Sequence, residues 1–144
     1  MLLPCLKILG AIFAFAVLTA QSTPPRYAEG QVWNYKTRVD EEGSLLKIQR
    51  IEVAPAGSNL EKIYHISVVG FHLKAPNVVP MLPHAPVSKQ TLDASVTTLS
   101  TSNRSFPPAD PGIAEWREAH GGVYTISVAE IIETLDLTLA EQKH

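Results

Sequence analysis

The chain has 144 residues, 45% of them hydrophobic and 18% charged, which fits one globular domain and excludes a full dinucleotide-binding dehydrogenase or an α/β barrel. Twelve Lys and Arg against fourteen Asp and Glu give a net charge of -2. No basic stripe of the kind that displaces counterions from phosphate is present, so nucleic acid is not expected as a partner.

The first twenty residues read as a secretory leader. Lys7 supplies a positive start, Ile8 to Val17 is an apolar run, and Leu18-Thr19-Ala20 ends on a small residue of the kind signal peptidases prefer. A spanning helix needs about twenty apolar residues, and this run stops before Gln21, Ser22 and Thr23. No membrane contact is therefore expected after cleavage. Cys5, the only cysteine, precedes the apolar run and leaves with it. The expected product is an exported chain, periplasmic or secreted, of 124 residues with a net charge of -3 and no thiol. Residues 21–30, with Pro24, Pro25 and Gly30, read as a linker into a single domain over 31–144.

Within that domain, Trp33, Tyr35, Thr37 and Val39 alternate with polar neighbours and predict a strand over 31–39. Asp40 to Gly43 closes a hairpin onto a second strand over 44–53. The alternation of that strand slips near Gln49 and Arg50, which predicts a bulge. Pro55 to Ser58 is a further turn, and Tyr64, Ile66 and Val68 mark a third strand over 62–74. Pro76, Pro80, Pro83 and Pro86 then predict an irregular loop, since each lacks a donor.

Ser88 caps a predicted helix reaching about Ser100, with Val87 and Leu92 as its hydrophobic staple. Asp110 and Pro111 open a short helix with Ile113, Trp116 and His120 on one face, ended by Gly121. Val123 to Ile126 reads as a short strand. Ser127 and Glu130 form a capping box for a terminal helix carrying Ile132, Leu135 and Leu139 on its apolar stripe. The sum is an α+β fold: a mainly antiparallel four-stranded sheet covered on one face by two or three helices, in the order β-β-β-α-α-β-α. Its other face is left open, and function is expected there.

Candidate chemistry is sparse. No GxSxG elbow, HExxH helix, glycine-rich phosphate loop or EF-hand spacing occurs, so no cofactor and no metal are expected. His120-Gly121-Gly122 resembles the oxyanion segment of some esterases, but without the elbow it reads as a helix stop. His65 and His72 are seven apart and face opposite ways on one continuous strand, unless Gly70 hosts a bulge. His84, Ser88 and Asp93 invite a triad, although capping already explains Ser88. Trp33 and Tyr35 suit either a core or the wall of a ligand pocket. Val78, Val79, Met81 and Leu82 lie in the proline-stiffened loop, where apolar side chains either tuck against the domain or meet a partner.

The run from Trp116 to Ala119, followed by Gly121 to Ile132, resembles the C-terminal part of uncharacterised small exported bacterial proteins. The resemblance covers about the last quarter of the chain, and it implies a bacterial source and no assigned activity. The function expected from these residues is binding of a protein partner, as an inhibitor or immunity-type factor, through Val78, Val79, Met81, Leu82, His84 and His65. Two alternatives are a small hydrolase using His84 or His65 and a small-ligand carrier with a pocket between sheet and helices.

Overall fold

A computed structural model describes residues 26–142, together with Ala16. Apart from Ala16, the predicted leader lies outside the described residues, as does Cys5. No helix among the described residues is long and apolar enough to cross a membrane.

The fold is α+β, with one antiparallel sheet and three helices. Strands β1 (Val32–Tyr35), β2 (Leu45–Val53), β3 (Lys62–Val69) and β4 (Met81–Val87) are followed by α1 (Lys89–Ser95) and β5 (Val96–Leu99). Helices α2 (Asp110–Glu118) and α3 (Val128–Glu141) complete the chain. The sheet order is β4-β3-β2-β1-β5, so α1 carries the chain from one sheet edge to the other.

Several expectations are corrected. The sheet has five strands, because two segments read as loop and helix are strands. In the proline-rich stretch, β4 is the edge strand beside β3, and prolines are tolerated on such an edge. Pro86 sits opposite His65, and its carbonyl accepts from the Tyr124 N–H at 2.9 Å. The helix capped by Ser88 stops at Ser95 rather than near Ser100. There the β-branched run Val96-Thr97-Thr98 favours a strand and pairs with β1. Val123 to Ile126 makes only an isolated bridge, Val87 to Tyr124, because α1 begins immediately after β4 and takes the ladder away. Strand β3 ends at Val69, where Gly70 adopts φ +87 and turns the chain, so His72 does not share its strand with His65.

Two local expectations hold in detail. The register of β2 against β3 shifts between Ile48 and Arg50, which places Gln49 in a bulge. Ser127 accepts from the Glu130 N–H while Glu130 reaches back to the Ser127 N–H, the reciprocal capping box.

One face of the sheet carries the main core, where Trp33, Tyr35, Leu46, Ile48, Ile66 and Val68 meet Leu92 of α1 and Val128, Ile131 and Ile132 of α3. The opposite face is not open. Strand β3 is buried without interruption from Ile63 to Val69, so both of its faces are covered. The cover is the segment 100–109 and α2. Gln49 Nε2 donates to the Pro107 carbonyl at 3.0 Å, Arg50 pairs with Asp110 at 2.8 Å, and Ala109 and Ile113 are buried.

Candidate functional site

The layer between α2 and the sheet contains a chain of polar side chains. Alternation on β3 sends His65 to the α2 side, opposite Pro86 on β4 and Arg50 on β2. His84 reaches the same side because β4 is bulged: its register shifts between the partners of Ile66 and Val68, so Pro83 and His84 together span the place of Ser67. The two rings then stack with centroids 5.1 Å apart, and His65 Nδ1 lies 2.8 Å from His84 Nε2. Trp116 of α2 closes over both, edge-on to His65 at 5.0 Å and to His84 at 6.5 Å.

The second nitrogen of His65, Nε2, is 3.3 Å from Glu52 Oε1, within ion-pair range. It lies off the direction of a hydrogen bond, and this fully buried atom has no partner that meets hydrogen-bond geometry. Glu52 Oε2 accepts from Arg117 at 2.5 Å. Burial opposes ionisation of Glu52, yet the contacts with Arg117 and His65 outweigh it and hold the carboxyl below its usual range. The Glu52 carboxylate favours the tautomer of His65 with its proton on Nε2; in that tautomer Nδ1 accepts and His84 Nε2 donates. His84 Nδ1 is left as a bare acceptor.

That outer nitrogen is pressed against α2. A Cβ placed on Gly112 would lie 2.5 Å from His84 Cβ and 3.0 Å from Nδ1, so only glycine fits. Burial disfavours charge on either ring: the pKa of His65 is lowered, and that of His84 is pushed down to about 4 by burial and then by the proximity of His65. Both are neutral at pH 7.

Trp116 is also the centre of the outer surface. A groove of about 470 Å³ runs along one side of it, lined by Glu52, Val53, Leu60, Ile63, Arg117 and His120 among others. Two further hollows share Trp116 as a wall, one with His84, Pro111 and Gly112 and one with Pro86, Val123 and Tyr124. The indole is held by its own N–H, which donates to the Gly122 carbonyl at 2.9 Å, and by Gly121, where a Cβ would collide with the ring. His120-Gly121-Gly122 is therefore the helix stop expected, with His120 at φ 49.

Other candidates are dispersed. Ser88 Oγ accepts from the Thr91 N–H and donates to Thr91 Oγ1, while Asp93 accepts from Tyr27 and Lys89. Neither touches His84, so the triad does not form. Trp33 and Tyr35 are core side chains, each 6% exposed. His72 is exposed beside Glu41, which accepts from its N–H. Val78, Val79 and Met81 do not tuck in, with Val79 63% exposed, whereas Leu82 packs against the core.

Trp116 shares the helix face expected for it with Ile113 and His120, whereas nothing in the sequence singles out Glu52 or Arg117. Glu52 and His65 both occupy the phase opposite to the apolar stripe, but nothing local announces that α2 covers that phase. Compared with known protein families, with curated proteins and with solved structures, the chain matches none.

Proposed function

We propose that the chain is a small exported binding domain that holds a segment of a partner protein against Trp116, in the manner of an inhibitor or immunity-type factor. The observation that carries this reading is the clustering of three open hollows around one tryptophan. Trp, Tyr and Arg dominate the energetics of protein interfaces, and Trp116, Tyr124 and Arg117 all lie here. Val53, 80% exposed at the groove wall, and Tyr124, 42% exposed, add apolar surface that water does not favour. A carried small molecule is normally enclosed over most of its surface. These hollows are shallow and open, which suits a partner's side chains better. Val78 and Val79, just before β4, and Met81, its first residue, form a second exposed apolar patch that a partner could also cover.

The convergence of His65 and His84 favours one second reading, a small hydrolase in which His84 Nδ1 takes a proton from an attacking water, backed by His65 and Glu52. The neighbouring hydroxyl on β3 is not the nucleophile, since Ser67 Oγ donates to the Pro83 carbonyl at 2.6 Å.

The test is affinity capture from a periplasmic extract, comparing the wild type with Trp116→Ala and with a Val79→Ser, Met81→Ser double variant, each shown by circular dichroism to be folded. The Trp116→Ala bait should lose a specific protein at least tenfold. Equal recovery by all baits would sink the binding reading.

A further inference from the structure

We infer that the Trp116 face is acid-sensitive: protonation of the His65–His84 pair beneath α2, His65 buried and His84 half-buried, loosens α2 from the sheet, so that the face is assembled at neutral pH and dismantled in acid. The inference concerns regulation of the site proposed above and rests on that reading for its biological use, though not for its structural content.

The geometry leaves an incoming proton nowhere favourable. His65 Nδ1 and His84 Nε2 already share one hydrogen at 2.8 Å, so a second proton between them breaks the bond. The free acceptor is His84 Nδ1, which lies against Gly112 in the first turn of α2. A helix N-terminus carries partial positive charge, and an imidazolium placed there is repelled. The charged groups around the pair offer little relief. On β2, Arg50 adds positive charge and is paired with Asp110, while Glu52 is paired with Arg117. On α2, Arg117 adds a second positive charge and Glu115 lines the outer hollow beside His84. His120, beyond the helix end, lines the Glu52 groove.

Loosening α2 removes Trp116 from both rings and exposes His84. The sign follows from linkage. A base whose folded pKa is depressed binds its proton more readily once exposed, so the open state gains as pH falls below the ordinary histidine value, and the gain saturates below the folded value of about 4.

Native-state hydrogen exchange on the full exported chain, corrected for intrinsic rates, reads this directly and needs no partner. Between pH 7 and pH 4 the opening constant of the α2 amides from Ile113 to Glu118 should rise at least tenfold, with the α3 amides from Ile131 to Leu135 unchanged. His84→Gln retains an amide donor toward His65 and cannot titrate, so the rise should shrink severalfold, the remainder belonging to His65. Parallel loss of protection in α2 and α3, or the same rise in His84→Gln, would overturn the inference. A wild-type NMR titration covers the case of a variant that does not fold. Ring pKa values near the ordinary 6.5, with α2 resonances unmoved, would also overturn it. Acid opening of α2 together with undiminished capture by Trp116→Ala would instead remove the binding reading alone.

Discussion

At the scale of single residues, the molecule turns on contacts that leave no spare room. Gly112 occupies the first turn of α2, where alanine normally improves a helix by about 0.5–1 kcal/mol. Here a methyl group would lie 2.5 Å from His84 Cβ, an atom tied directly to the β4 backbone. Overpacking of that kind costs about 1–3 kcal/mol and outweighs the propensity gain. Gly112→Ala should therefore lower the urea midpoint, and an unchanged or raised midpoint would show that β4 yields easily. The histidines themselves were legible as candidates from their residue type. Their partnership was not, because it depends on a two-for-one bulge at Pro83 and His84 whose only sequence trace is a proline that reads first as a strand breaker. Gly112 carried no signal at all, since a glycine after Pro111 looks like ordinary helix entry.

At the scale of elements, α3 shows what local chemistry can specify by itself. Ser127, Glu130 and the apolar spacing that follows lie within a few residues of one another, and the helix forms where they say it should. Ser127→Ala removes the hydroxyl that accepts from the Glu130 N–H, leaves the backbone half of the capping box, and should destabilise the fold by about 1 kcal/mol in urea denaturation. The anchor of the same helix was invisible in the sequence. Arg38 grips Glu41 through two nitrogens at 2.6 and 2.8 Å, reaches Glu133 and Asp136 of α3 at 2.7 and 3.0 Å, and donates to the His72 carbonyl. Asp136 also accepts from the Lys74 N–H. Its partners lie as much as 98 positions away along the chain, so no spacing rule finds them. Arg38→Met strands the carboxylates of Glu41 and Asp136, both nearly fully buried. The expected loss is on the order of 3 kcal/mol, measurable as a fall in urea midpoint without change of slope. Strand β5 was missed for the opposite reason: Ser88 starts a helix so clearly that the β-branched run from Val96 was read as its continuation.

For the whole molecule, the sheet is covered on both sides, and the two layers respond to acid over different ranges. Depressed histidine pKa values beneath α2 withdraw stability as pH falls from about 6.5 toward 4. Glu41 and Asp136, held below the usual carboxylate range by Arg38 and by backbone donors, keep their contribution above that range and lose it as pH falls through their lowered values. Urea midpoints measured from pH 7 to pH 2 should thus fall in two stages, the first reduced by His84→Gln and the second by Arg38→Met. One smooth decline, unaffected by either substitution, would contradict the layered arrangement. The fold class and the three-stranded meander were legible because alternation and turns are local. The second layer was not, since residues 100–109 have no periodicity and are held by the Gln49 amide and buried Ala109, while the Arg50–Asp110 pair and buried Ile113 hold α2. The prolines of β4 have a last consequence, for solubility. An edge strand offers a row of amide donors and carbonyls to any passing chain, and unguarded edges seed aggregation. Pro86 has no donor to offer, its carbonyl is already taken by Tyr124, and Pro83 interrupts the row again. A domain that folds without a disulfide and opens part of one face in acid can therefore do so without presenting a template for fibrils along β4.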